Sequence, residues 1–132
     1  MAGFIAWGMA VSRTPNEFRD AARDHRAEVI EHRPRHWKTA PQDLNAIAGQ
    51  YRITAPAGFS LKEAKRCGIS GKPVMHLVYT DGKRDVSVYV TGTELRGRSS
   101  VDGQYVGGFQ RGLVVGSPAE CRQFLDVLQR ST

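Results

Sequence analysis

Residues 74–90 read VMHLVYTDGKRDVSVYV, two runs of β-branched and aromatic residues separated by a polar stretch that begins with Asp81 and Gly82. Asp-Gly between alternating apolar runs is a strong hairpin signal, because both residues accept the left-handed backbone that a two-residue turn needs. The pattern predicts strands over 74–80 and 84–91, with Leu77 opposite Val86 and Met75 opposite Val88 on one face. His76 then opposes Ser87 on the other face, between Val74 and Val78, so that face is also apolar enough to need partial cover.

Working outward, 59–66 reads as a strand before this hairpin, and 104–110 with 113–115 reads as a second hairpin around Arg111 and Gly112. Between the hairpins, 92–103 is rich in glycine and serine and carries Arg96 and Arg98, the texture of an irregular excursion or broken strand with a mobile tip. Helices flank the strands. Thr14, Pro15, Asn16 and Glu17 form a capping box, and the helix it starts is predicted over 15–33, since Pro34 disfavours helical backbone before it. Phe18, Ala22, His25, Val29 and His32 lie on one stripe of that helix. Thr39, Ala40, Pro41 and Gln42 repeat the signature for a helix over 40–50 that carries Leu44, Ile47 and Ala48 inward. Ser117, Pro118, Ala119 and Glu120 start a third helix, over 118–129, with Cys121, Phe124, Leu125 and Leu128 on its apolar stripe. The order predicts an α+β fold: a small antiparallel sheet of four to five strands, with two N-terminal helices and one C-terminal helix packed on one face.

A chain of 132 residues, 40% hydrophobic and 24% charged, fits one globular domain, taken as 14–132, and is too short for a second core. Residues 1–13 form an apolar leader or anchor stub, uncharged before Arg13 and lacking the basic start of a signal peptide. No apolar run of roughly 18 residues exists, which excludes a complete spanning helix. Nineteen Lys and Arg against 13 Asp and Glu give a net charge of +6, mixed along the chain, which permits an anionic partner without requiring one.

Two cysteines exclude a disulfide-dense scaffold and a four-cysteine zinc site. Cys67 ends a predicted strand and Cys121 lies in the first turn of the last helix, where the helix N-terminus favours a thiolate. Cys67 and Cys121 are therefore a candidate disulfide or thiol pair, if the two ends lie at one rim of the sheet; the other reading makes Cys121 a small core residue. His25, His76, Cys67 and Cys121 together are a candidate copper or zinc set, since imidazole and thiolate suit those ions, set against histidines simply buried under the sheet. The connector RPRHWK places Arg33, Arg35 and Lys38 around Trp37, the composition of an anion- or partner-binding surface with a stacking platform, or of a tryptophan that staples two helices. Catalytic motifs are absent: no nucleophile elbow, no phosphate loop and no helical zinc pair, which leaves only a cysteine nucleophile with His25 or His76 as base.

The stretch DHRAEVIEHRPRHW at 24–37, then Cys67, the strands VMHLVY at 74–79 and VSVYV at 86–90, VGGF at 106–109 and the strand at 113–115 leading into a helix together resemble the extracytoplasmic part of bacterial membrane-anchored anti-sigma factors. The cytoplasmic zinc-binding segment of that family, with His, three residues, Cys, two residues, Cys, is absent from this chain. The resemblance implies a non-enzymatic sensory domain on the periplasmic side of the membrane, anchored or exported, that acts on a regulatory protein partner. Beside it stand two other readings: a thiol- or metal-based redox sensor or small oxidoreductase, and a basic nucleic-acid-binding module.

Overall fold

The computed structural model describes residues 16–31 and 37–130. Helix α1 (Asn16–His25) continues into a π-helical turn (Arg26–Ile30), and α2 (Pro41–Tyr51) follows. Six strands come next: β1 (Ser60–Ile69), β2 (Lys72–Thr80), β3 (Asp85–Val90), β4 (Arg98–Val101), β5 (Gln104–Phe109) and β6 (Gly112–Gly116). Helix α3 (Pro118–Arg130) closes the fold. The strands form one antiparallel sheet in the order β1-β2-β3-β6-β5-β4, two three-stranded meanders joined edge to edge through β3 and β6. The α+β class is as expected; the sheet has six strands where four to five were predicted.

The additional strand is β4, within the stretch read as an excursion, whose backbone pairs Arg98 with Gly107 and Val101 with Gln104 at the sheet edge. The central hairpin also differs in register. Leu77 faces Val88 and Met75 faces Val90, because the loop takes four residues, 81–84, and not two. Asp81 Oδ1 accepts the amides of Lys83 and Arg84 at 2.8 Å each, so Lys83 and Arg84 are held in the turn before β3 begins. The shift spans two residues on one strand, and with a side-chain period of two each residue keeps its predicted face. Strand β1 extends to Ile69 and carries a bulge between Leu61 and Glu63 that resets its alternation.

Helices cover both faces of the sheet, which corrects the one-face expectation. On one side α2 and α3 bury Ile47, Phe124, Leu125 and Leu128 against Leu77, Tyr79, Val86, Val88 and Val114. On the other, α1 lays Phe18, Ala21 and Ala22 on Val74, Tyr89, Val106, Leu113 and Val115. Ile47 enters the core and Leu44 packs partly, but Ala48 is exposed. Ala40 caps α2 without a side-chain hydrogen bond, so the predicted capping box does not form there; at α3 the Ser117 hydroxyl meets the Glu120 carboxylate. The first capping box and the stripe residue His32 include positions outside the described residues. Close approach of β3 and β6 demands glycine at 112: a Cβ there would stand 1.8 Å from the Tyr89 carbonyl oxygen. Among the described residues no helix is long and apolar enough to cross a membrane.

Candidate functional site

The layer between α1 and the sheet is apolar near Phe18 and polar toward the other end of the helix. In the π-helical turn the Glu31 amide donates to the Arg26 carbonyl at 2.8 Å, and the adjacent residues Glu28 and Val29 are both buried. Such turns insert a residue into the helical ladder and frequently mark functional positions. Opposite them, the β1 bulge aligns Lys65 and Cys67 with His76 on β2 and with Ser87 and Tyr89 on β3, on the face that α1 covers.

These side chains form a connected network. His76 is 0% exposed, its Nε2 is 2.7 Å from Ser87 Oγ, and Ser87 Oγ is 2.6 Å from His25 Nδ1. His76 Nδ1 lies 3.2 Å from Asp24 Oδ2, which also accepts the Tyr89 hydroxyl at 2.7 Å. The His76 ring stacks on Tyr89, with centroids 4.1 Å apart, and meets the Trp37 ring edge-on at 5.0 Å. Beside them Lys65 Nζ pairs with Glu28 Oε1 at 2.8 Å, both nearly buried, and sits 4.8 Å from the Trp37 ring centroid. Within this packing Glu28 Oε2, Trp37 Nε1 and His76 Nδ1 have no hydrogen-bond partner among the described residues. The His76–Asp24 contact is therefore electrostatic: the distance suits a hydrogen bond, but the alignment does not.

Burial sets the charge states. It pushes His25 down to about 4, with His76 acting the same way and Asp85 and Asp24 opposing, and it holds His76 below its ordinary value against the pull of Asp24. Burial raises Asp24, but His76, the Tyr89 hydroxyl and the Lys65 charge outweigh it and leave the carboxyl below its ordinary value. Burial, aided by the Asp24 carboxylate, pushes the Cys67 thiol up to about 12. At neutral pH the cluster thus holds a carboxylate, two neutral imidazoles and a thiol.

Asp24, His76 and Ser87 stand in the order of a hydrolase triad. Ser87 is 0% exposed, however, and its Oγ is engaged by an imidazole on each side, so no substrate carbonyl reaches it. The arrangement instead links the part-buried Asp24 carboxylate to His25, which lines a cleft of about 610 Å³ bordered by Lys62, Lys83, Arg84 and the start of α3.

Of the predicted metal set, Cys67 and His76 come together, and His25 joins His76 through Ser87. Cys121 does not join them. It packs among the α3-side core residues while Cys67 packs on the α1 side, and both are free thiols, so the predicted thiol pair is not formed. The two rims differ because α3 crosses the sheet face opposite α1. Burial pushes Cys121 up to about 12, overriding the expected acidifying influence of the helix N-terminus, and its Sγ donates to the Val114 carbonyl. Trp37 is spent on His76 and Lys65 and is not an exposed stacking platform; Arg33 and Arg35 lie outside the described residues, and Lys38 is exposed with its backbone bridged to Ala64.

Sequence reasoning missed Asp24, Lys65, Ser87 and Tyr89 as members of the site. The one local signal was Asp24 and Glu28, spaced one helical turn apart beside the buried stripe residue His25. Comparisons of the chain with protein-family models, with curated proteins and with solved structures find no match.

Proposed function

We propose that this chain is a non-enzymatic sensory domain of the kind found in the extracytoplasmic part of membrane-anchored anti-sigma factors, with α1 as its moving part and the polar cluster beneath α1 as its input. One observation carries the reading: α1 and its π-helical turn dock on the sheet through Asp24, His25 and Glu28, which engage the buried strand residues His76, Ser87, Tyr89 and Lys65. A helix seated only on apolar surface responds to little besides temperature and denaturant. One seated on titratable and metal-ligating groups responds to protons, ions and oxidants, because each changes the charge that must be buried. On this reading the segment preceding α1 anchors the domain at the membrane on its periplasmic side, and release or seating of α1 changes what a regulatory protein partner encounters.

A thiol or metal input is the form favoured by the grouping of Asp24, Cys67 and His76. Nucleic-acid binding is the less favoured reading, since the Trp37 ring is already packed against His76.

Trp37 reports on the cluster directly. In a Trp7→Phe variant, which leaves Trp37 as the sole tryptophan, acidification from pH 7 down through the His25 value near 4 is expected to shift Trp37 emission while the far-ultraviolet signal of the sheet stays constant. Emission that changes only together with global unfolding contradicts the reading.

A further inference from the structure

Three elements each send one metal-ligating side chain to the same place: Asp24 from α1, Cys67 from β1 and His76 from β2, with one donor atom of each within 4.8 Å of the others. One of these atoms points to a ligand independently. His76 is wholly buried, and its Nδ1, 3.2 Å from Asp24 Oδ2, has no hydrogen-bond partner among the described residues. A buried polar nitrogen is stable only when something satisfies it. Its neighbours are a carboxylate and a sulfur, so the group that suits all three is a cation.

We propose that Asp24, Cys67 and His76 form a zinc(II) site, with a carboxylate oxygen, the thiolate sulfur and imidazole Nδ1 as ligands and a fourth position for water or an exogenous ligand. Sulfur, nitrogen and oxygen together are a zinc donor set, whereas calcium and magnesium select oxygen alone. Copper(I) matches the sulfur and the imidazole but gains little from a carboxylate. Charge points the same way. A carboxylate and a thiolate with a dication sum to zero, the least costly state to bury, while a monovalent ion leaves a net negative charge beneath the helix.

The surroundings supply what zinc histidines require. With Nδ1 on the metal, His76 Nε2 carries the proton and donates to Ser87 Oγ, and the Ser87 hydroxyl proton turns to His25 Nδ1. This second layer fixes the tautomer and the ring orientation. Ligand atoms around tetrahedral zinc stand roughly 3.5 Å apart, so closing the 4.8 Å spread asks for a movement of about 1 Å, available to Asp24 and Cys67, which are only part-buried. On binding, the Cys67 S–H bond breaks, a sulfur–zinc bond forms, the proton passes to solvent and the hydrated ion sheds water; no electron is transferred. Ligands from α1 and from the sheet then share one ion, which seats the helix. That consequence rests on the sensory reading, but the site itself does not.

Titration of the full chain with cobalt(II), then displacement by zinc(II), tests the site. One equivalent should bind, with a near-ultraviolet sulfur-to-cobalt absorption and release of a proton. Cys67→Ser should abolish that absorption and weaken binding on the order of a hundredfold or more, Asp24→Asn should weaken it, and Ser87→Ala should cost about 10- to 100-fold. Cys121→Ser should leave all of this unchanged. Because His76→Gln risks misfolding, the Cys67 and Cys121 pair decides: absorption that persists in Cys67→Ser, or that is lost in Cys121→Ser, overturns the site, as does failure to bind one equivalent at micromolar metal. Uptake with unaltered Trp37 emission keeps the site and removes the sensory reading; a responsive Trp37 without uptake does the reverse.

Discussion

His76 Nδ1 stands 3.2 Å from Asp24 Oδ2 without aligning to it, although both atoms lie between helix α1 and a six-stranded sheet. In a well-packed interior a nitrogen and a carboxylate this close ordinarily complete a hydrogen bond. Here the other imidazole nitrogen is committed to Ser87, the ring is stacked on Tyr89, and the Tyr89 hydroxyl occupies the same carboxylate oxygen. The ring is therefore held by its remaining contacts and not by Asp24, which leaves that pair as the adjustable part of the layer.

Stability should fall with acidification above the range of ordinary carboxylates. His25 titrates at about 4 in the folded chain and near 6.5 when unfolded, so between those values the unfolded chain binds a proton that the folded chain refuses. The favourable contribution of neutral His25, on the order of 3 kcal/mol, is complete above pH 6.5 and lost as pH falls to 4. His76 acts in the same direction, and Asp24 adds to the loss below 3.8. On the alkaline side Cys67 and Cys121, raised from 9.0 to about 12, reduce stability as pH climbs through that interval. Urea denaturation across the pH range checks this; equal stability at pH 7 and pH 5 contradicts it.

Glu28 and Lys65 form a nearly buried pair, and removing either partner strands the other charge under α1. Glu28→Leu or Lys65→Met alone should cost roughly 3–5 kcal/mol. The double variant Glu28→Leu with Lys65→Met should cost less than either single change, because no buried charge remains. Losses that simply add in a denaturation cycle would show the pair to be solvated.

Cys67 and Cys121 sit on opposite faces of the sheet, so serine at each should destabilise independently, the double change equalling the sum within about 0.5 kcal/mol. Reduction should leave the intact mass unchanged. A mass increase of two hydrogens on reduction would restore the thiol pair.

At Gly112 an added Cβ meets the Tyr89 backbone, whereas at Gly107 it meets the Leu125 side chain at 2.3 Å. Backbone cannot yield as a side-chain end can. Gly112→Ala should therefore cost more than about 3 kcal/mol and Gly107→Ala clearly less, on the scale of ordinary overpacking. Comparable melting temperatures for the two variants would place the β3–β6 junction elsewhere.

The sequence made the sheet class legible because alternating runs such as VSVYV at 86–90 pack in only one way, and even the need to cover the His76 face followed from Val74 and Val78 beside it. The hairpin register did not follow, since the Asx turn at Asp81 draws Lys83 and Arg84 into the loop, and dipeptide rules do not weigh that bond. Strand β4 was obscured by its polar RSSV composition: an edge strand needs little apolar surface when its neighbour supplies the hydrogen bonds. Within the site, Cys67 and His76 were visible as residue types suited to metals. Their meeting with Asp24 was not, because it depends on the β1 bulge and on α1 covering the face opposite α3, both products of tertiary packing.

The claim that α1 is held by the titratable cluster is tested most directly by amide hydrogen exchange, compared between α1 and α3 and corrected for intrinsic rate, as pH falls from 7 to 5. Protons taken up at His25 when the helix lifts should favour opening of α1 on the order of twentyfold at pH 5 with little dependence on added urea, while α3, seated on apolar residues of the other face, should exchange only through the urea-dependent global unfolding. Exchange in α1 that does not accelerate, or that carries the same urea dependence as exchange in α3, contradicts the account.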